Sequence, residues 1–299
     1  MSSNYQTKIL ICTHMAGSCL TSNVYQPILV GKALRPDLHL PFIGDDSGEN
    51  MSTQNGTYCE LTAHYWAWKN LNADYIGICH YRRYFDFAAT DGRINNDMFD
   101  ISFDDLARRN LGDPVSLLQD GTEVVLVRPS YLPRSVAQNY MLSHVPEDFF
   151  ILCRVILKLY PEYEPTLRQH FFCSNRWIGY NMMFCRKELF DRYAEWLFHI
   201  LDETERYVKL SGYSYQKRIF GFMGEILTPL FFLHNCKKIK YRPVLYVSDN
   251  PGRVSNLRYL YNKIRYNIAF GLVGKKHPQS ADPLGKFYEN YFQKDGIVI

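Results

Sequence analysis

Apolar and polar positions come in blocks along this chain, and the blocks set out strands and helices in α/β order. Lys8 to Thr13 (KILICT) is a short β-rich run, with His14-Met15-Ala16-Gly17-Ser18 following at its C-terminal end as a loop would. Polar residues and glycines fill Gly44 to Gly56. Thr57 to Asn70 then repeats apolar side chains at helical spacing, with Leu61, Tyr65 and Trp68 on one face and Asn55 or Thr57 as a cap. Asp74 to Cys79 is too apolar to alternate, which predicts a short strand, central and parallel in its sheet.

The pattern weakens from Thr90 to Asp120, which reads as an insertion shaping a cleft, and returns as a strand at Glu123 to Arg128, ended by Pro129 and Pro133. Phe149 to Leu159 and Lys187 to Tyr207 read as helices, with a strand at Trp177 to Cys185 between them and a last strand at Tyr241 to Val247. Beyond Asn250 the character changes. Residues 250–281 contain no Asp or Glu but hold Arg253, Arg258, Lys263, Arg265, Lys275 and Lys276, while Leu257, Leu260, Tyr261, Ile264 and Ile268 follow amphipathic spacing. The chain thus divides into a main α/β domain, residues 1–249, and a basic, partly amphipathic appendage, residues 250–299. Either the appendage helix rests on anionic lipid, or it packs on the domain with its basic face solvated.

Composition narrows the class. With 299 residues, 46% of them hydrophobic, the chain can bury a substantial core, and a net charge of +4 is too mild to imply a nucleic-acid partner. Eight cysteines show no C-x-x-C pair, and Cys12, Cys79 and Cys185 sit in apolar runs, which fits a reduced, cytoplasmic setting. The N-terminus is too polar for a signal peptide, and no run approaches the roughly 18 to 20 apolar residues of a membrane span. A soluble protein or a peripheral one on the inner membrane face is expected.

Candidate chemistry concentrates where the Asp74 to Cys79 strand ends in His80-Tyr81-Arg82-Arg83-Tyr84. Open α/β sheets place ligands at strand ends, and two arginines between tyrosines can grip phosphate oxygens while stacking on a flat ring. The alternative is that Arg82 and Arg83 merely pair with Asp86 and other surface acids. Asp45-Asp46 in a glycine-flanked loop can chelate a cation or hold ribose hydroxyls, or can simply shape a turn. His64, His144, His170 and His199 show no spacing that sets them apart.

Four blocks together resemble the uncharacterised domain family 4422, found in bacterial capsule, exopolysaccharide and lipopolysaccharide gene clusters and regarded as glycosyltransferases of the GT-A type. They are Tyr58 to Phe87, Tyr25-Gln26-Pro27-Ile28 with Gly31, Gly44-Asp45-Asp46 through Asn50-Met51-Ser52 to Asn55, and Phe220-Gly221-Phe222-Met223-Gly224-Glu225. The resemblance implies an α/β, GT-A-like (Rossmann-like) nucleotide-sugar-binding fold with a mixed central sheet. It implies donor contacts from Gln26, Asp45, Asp46, Asn50, Ser52, Asn55, Glu60, His80, Tyr81, Arg82 and Arg83, and His14, at the end of the first strand, is placed for the donor by its position. Glu225, read as the start of a helix running to Leu233, is the expected catalytic base, with Trp177 and Asn181 toward the acceptor.

GT-A enzymes commonly hold the donor diphosphate through a metal on an Asp-x-Asp motif. Here His80-Tyr81-Arg82-Arg83 occupies that place, so an arginine clamp without metal is expected, and a divalent ion (Mn or Mg) at His80 or Asp45-Asp46 is the alternative. The expected activity is inverting transfer of a hexosyl unit, galactofuranosyl or galactosyl first, from a UDP-sugar to a growing, lipid-linked surface polysaccharide. The rivals are a non-catalytic nucleotide-sugar or carbohydrate-binding protein and a metal-dependent phosphate-ester hydrolase.

Overall fold

The computed structural model describes residues 5–89, 98–252, 256–272 and 285–299. Its strands are β1 Thr7–Thr13, β2 Tyr25–Leu29, β3 Ile43–Gly44, β4 Tyr75–His80, β5 Arg83–Phe85, β6 Met98–Ile101, β7 Val124–Val127, β8 Ser130–Tyr131, β9 Arg176–Trp177, β10 Met183–Arg186, β11 Ile239–Arg242 and β12 Val244–Val247. Its α-helices are α1 Asn55–Tyr58, α2 Leu61–Asn70, α3 Phe103–Arg108, α4 Val136–Ser143, α5 Pro146–Leu159, α6 Glu164–Leu167, α7 Lys187–Glu205, α8 Ile219–Asn235, α9 Asn256–Leu272 and α10 Glu289–Lys294.

The main sheet runs in the order β11-β7-β10-β4-β1-β2-β3, with β5, β6 and β12 attached beside β4. β1 to β4 are parallel, β10 enters antiparallel between β4 and β7, and β7 and β11 are parallel to each other. This is the GT-A-like α/β arrangement with a mixed sheet. The centre of the sheet is apolar because it is covered on both faces: Ile9, Leu10, Ile11, Ile76, Ile78, Val124, Val125 and Leu126 are all buried. Helix α7 packs against α2, α5 and α8.

Several elements differ from what periodicity predicts. Strand β4 is central, yet it is parallel only to β1 and antiparallel to β10. The run Trp177 to Cys185 is not one strand. β9 pairs with β8 in a separate ribbon and β10 joins the main sheet, because Tyr180 (φ 76°) and Asn181 (φ 50°) turn the chain between them. Tyr241 to Val247 is likewise divided at Pro243, which has no N–H for a ladder, into β11 beside β7 and β12 beside β5 and β6. The helix expected over Thr57 to Asn70 breaks at Cys59, whose φ of 52° and ψ of −130° leave the helical region. Conversely, the apolar run Phe220 to Gly224 is itself helical, so Glu225 lies inside α8 and not at its start.

Helix α9 lies against β8 and the residues just before β8 and β9. The Tyr259 hydroxyl donates to the Pro129 carbonyl (3.4 Å), Asn175 Nδ2 donates to Asn267 Oδ1 (3.1 Å), and Phe270 is buried. The terminal stretch also contacts the main domain, with Phe292 buried, Tyr288 against Phe150 (5.2 Å between ring centres) and Lys209 paired with Asp295 (2.9 Å). Arg253, Lys275 and Lys276 lie outside the described residues.

Candidate active site

Parallel pairing of β1 with β4, in register at Cys12 and His80, brings the C-terminal ends of both strands to one edge of the sheet. There a cavity of about 350 Å³ opens, lined by Thr13, His14, Arg35, Asn55, Cys59, Glu60, His80, Ser214 and Arg218 among others. The Tyr81 amide donates to the Cys12 carbonyl (3.0 Å), extending the ladder by one step before the chain turns back into β5. Tyr81 then lies edge-on to His14 (5.5 Å between ring centres) and against His80 (4.4 Å). The Arg82 guanidinium is 5.1 Å from the Tyr81 ring centre, and that of Arg83 is 4.6 Å from Tyr180 and 5.8 Å from Tyr246. Arg83 Nε is buried with no hydrogen-bond partner. Asp86 does not take either arginine, because it is buried against Arg109 (2.8 Å).

Two cavity-lining cations escaped the sequence reading. Arg35 donates Nη1 to the Val30 carbonyl (3.1 Å), and Arg218 donates Nε to Cys59 Sγ (3.1 Å). Their proximity to the blocks around Gly31 and Phe220 was the only available signal. The imidazoles register this concentration of charge. His80 is pushed down to about 3 by burial and by Arg83, His14, Arg82 and Arg218, and His14 is lowered by burial, Arg35, Arg218 and Arg82. Both rings therefore resist protonation and stay neutral, and a neutral ring nitrogen can accept a hydrogen bond, as His80 Nδ1 does from the Arg82 amide (3.3 Å).

Two carboxylates lie near these cations: Glu60 lines the cavity, and Glu225 feels the charges of Glu60, Arg83 and Arg218. Glu60 follows the break at Cys59, and its Oε1 accepts from Asn181 Nδ2 (3.0 Å), which also donates to the Gly221 carbonyl (3.1 Å). Glu225 is brought close by its helix: a Cβ on Gly221 would sit 2.9 Å from Cys59 Sγ, and one on Gly224 would sit 2.8 Å from Asn181 Oδ1 and 2.9 Å from Leu61. The two glycines let α8 approach the α1–α2 break as nothing larger could. Half-buried Glu225 is pushed up to about 7 by burial and then by the charge of Glu60, against the pull of Arg83, Arg218 and the Tyr180 backbone N–H. A carboxylate held near neutrality beside a pocket of arginines has the makings of a general base next to a site for a leaving anion.

Other predicted contacts fall elsewhere. Asp45 is fully buried and accepts from the Gly31 and Lys32 amides (2.8 and 3.1 Å) and from the Ser52 hydroxyl. Ser52 in turn accepts from the Ala33 amide (3.0 Å). Both are occupied in fixing the turn after β2, away from the lining of the cavity. Asp46 is exposed, and Asn50 donates to the Asp46 and Gly48 carbonyls (3.0 and 2.9 Å), so these two also shape the loop, outside the cavity. Gln26 lies in β2 opposite Leu10, and Trp177 in the β8–β9 ribbon, and neither lines the cavity. Asn55 does line it, while donating to the Cys59 carbonyl (2.7 Å).

A metal fits these residues poorly. Among the described residues no three His, Cys, Asp or Glu side chains converge on a point, the charges of Arg82, Arg83 and Arg218 act on His80, and Asp45 has committed both oxygens to amides.

Comparison with known proteins agrees with this architecture. The WbbM bifunctional glycosyltransferase in its apo form is similar, with a TM-score of 0.71 and 27% identity over 82% of this chain and 46% of that one. This chain thus spans less than half the length of that protein. No curated protein gives a match. A family model described as a domain of unknown function, DUF4422, matches residues 8–236, which is most of the chain and includes every residue of the cavity. This protein belongs to the DUF4422 family.

Proposed function

We propose that this protein is a glycosyltransferase that moves a hexosyl unit from a UDP-sugar onto a growing surface polysaccharide. The observation that carries the reading is the cavity at the ends of β1 and β4, lined by Arg35, Arg218 and Glu60, with Asn181 joining Glu60 to the Gly221 carbonyl of the helix that carries Glu225. The likeness to a bifunctional glycosyltransferase supports it.

In this reading the diphosphate lies against Arg35, Arg82, Arg83 and Arg218, and Tyr81 offers its ring to the base or sugar. An acceptor hydroxyl attacks the anomeric carbon as the bond to the diphosphate breaks. Glu225 takes the hydroxyl proton, the electron pair leaves on the diphosphate oxygen, and the arginines neutralise the charge that develops there. Glu60, anchored by Asn181, keeps Glu225 basic and lies within reach of a sugar hydroxyl. One displacement inverts the anomeric centre, and no metal is assigned to any step. UDP-galactofuranose and UDP-galactose are the first donors to try, with a lipid-linked glycan as acceptor. Among the described residues no helix is long and apolar enough to cross a membrane.

Ligand-detected NMR with UDP-, GDP-, dTDP- and CMP-sugars, in EDTA and then with Mg²⁺, tests the reading. Binding of a UDP-sugar in EDTA supports the arginine clamp, and a requirement for Mg²⁺ overturns it. If no nucleotide sugar binds in either condition, the transferase reading fails.

A further inference from the structure

Helix α9 is attached to the domain by the side that amphipathic helices usually turn to water. Tyr259 and Asn267 hold it to Pro129, just before β8, and to Asn175, Phe270 is buried, and Lys263 lies over the Tyr131 ring at 5.2 Å. The opposite stripe is apolar and faces outward. Leu257, Tyr261, Ile264, Ile268 and Leu272 recur at intervals of three and four residues, and each is between 53% and 77% exposed. At 1.5 Å per residue this stripe is roughly 22 Å long. Lone exposed leucines are ordinary on protein surfaces, but five large apolar side chains in one row on a single helix are not.

Charge decides what would cover the row. Arg258 and Arg265 project on the same flank, about 20 to 40° beyond its edge at 100° per residue, and both are exposed. Neither α9 nor any position from 250 to 281 carries an acid. A second copy of the helix would have to bring like charges together, whereas an anionic lipid surface accepts the apolar row among its acyl chains and pairs the arginines with its headgroups. The helix does pack on the domain, but with this stripe turned outward.

We infer that α9 is an in-plane membrane-docking helix that seats the domain on an anionic bilayer. It buries Leu257, Tyr261, Ile264, Ile268 and Leu272 at the headgroup boundary, with Arg258 and Arg265 at the rim. The inference does not depend on the transfer reaction, because lipid binding can be measured without donor or acceptor.

Co-sedimentation of the full chain with phosphatidylcholine vesicles, with and without one third phosphatidylglycerol, tests it. Binding is expected to the anionic vesicles, to fall at least roughly tenfold in Ile264→Glu/Ile268→Glu and in Arg258→Glu/Arg265→Glu, and to weaken with salt in the wild type. Both pairs are exposed, and unchanged circular dichroism and thermal midpoint confirm folding. Sedimentation that is absent, or indifferent to both double variants, overturns the inference. So does a dimer on size exclusion that Ile264→Glu/Ile268→Glu dissociates while no vesicle binding is seen, since the row would then be an interface between copies.

Discussion

The chemistry of the site turns on how Glu225 is held. Its folded pKa of about 7 exceeds the ordinary 4.5, so the folded protein binds that proton more tightly than the unfolded chain does. The stabilisation from this group is complete below about pH 4.5 and is lost as pH rises toward 7. Replacing Glu225 by Gln removes the dependence: the variant should be the more stable of the two above pH 7, with the gap closing near pH 4, as urea titrations across that range would show. The same substitution should lower turnover by a factor on the order of 10² to 10⁴ while leaving donor affinity nearly unchanged. A comparable loss of donor binding would point to a binding role and not a base. The ionised charge of Glu60 helps raise Glu225, so Glu60→Gln should shift the acid limb of the kcat profile to lower pH; a limb that stays in place would uncouple the two carboxylates.

At the scale of elements, the site exists because α8 meets the α1–α2 break at glycine distance. Gly224→Ala would drive a methyl to within 2.8 Å of Asn181 Oδ1 and 2.9 Å of Leu61, both buried, and should cost about 1 to 3 kcal/mol in chemical denaturation, with turnover falling further than stability alone explains. An unchanged midpoint would mean the contact relaxes freely. Proline 229 adds a second constraint, because it has no N–H for the carbonyl four residues earlier, that of Glu225 itself, and so interrupts the α8 ladder at the candidate base. Much of this was legible in the chain. The strand Asp74 to Cys79, its arginine-bearing end, the Glu225 block and the helices Phe149 to Leu159 and Lys187 to Tyr207 each carry a local signal of apolar run, breaker or charge. What local pattern does not carry is which partner an element meets. Phe220 to Gly224 reads as a run ahead of the helix because its glycines lower helix propensity, and only the closeness of Cys59 and Asn181 explains them. Asp45 reads as a ligand because its use by the Gly31 and Lys32 amides is a tertiary fact, and Arg35 and Arg218 stayed hidden because they reach the cavity from far along the chain.

Across the whole molecule, charge is partitioned beyond what a net +4 conveys. Arginines gather at one edge of the sheet, and a second basic surface runs beside the apolar row of α9. Donor binding driven by the first should weaken several-fold as salt rises from about 50 to about 500 mM, and Arg83→Gln should flatten that slope, measured by titration calorimetry; a slope unchanged in the variant would remove Arg83 from the clamp. The backbone around the carboxylates is as unevenly distributed as the charge. Cys59, Tyr180 and Asn181 all hold positive φ beside the cavity, and Cys59, with ψ near −130°, occupies a region that side chains rarely enter. Glycine would be at ease there. Cys59→Gly relieves strain of about 1 to 3 kcal/mol against about 0.4 to 1 kcal/mol for the glycine's extra unfolded-state freedom, so the thermal midpoint should rise, while Arg218 loses its sulfur partner and turnover slows. Robustness and activity therefore draw on the same few residues in opposite senses, and a lineage adapting to heat would be expected to change these positions last.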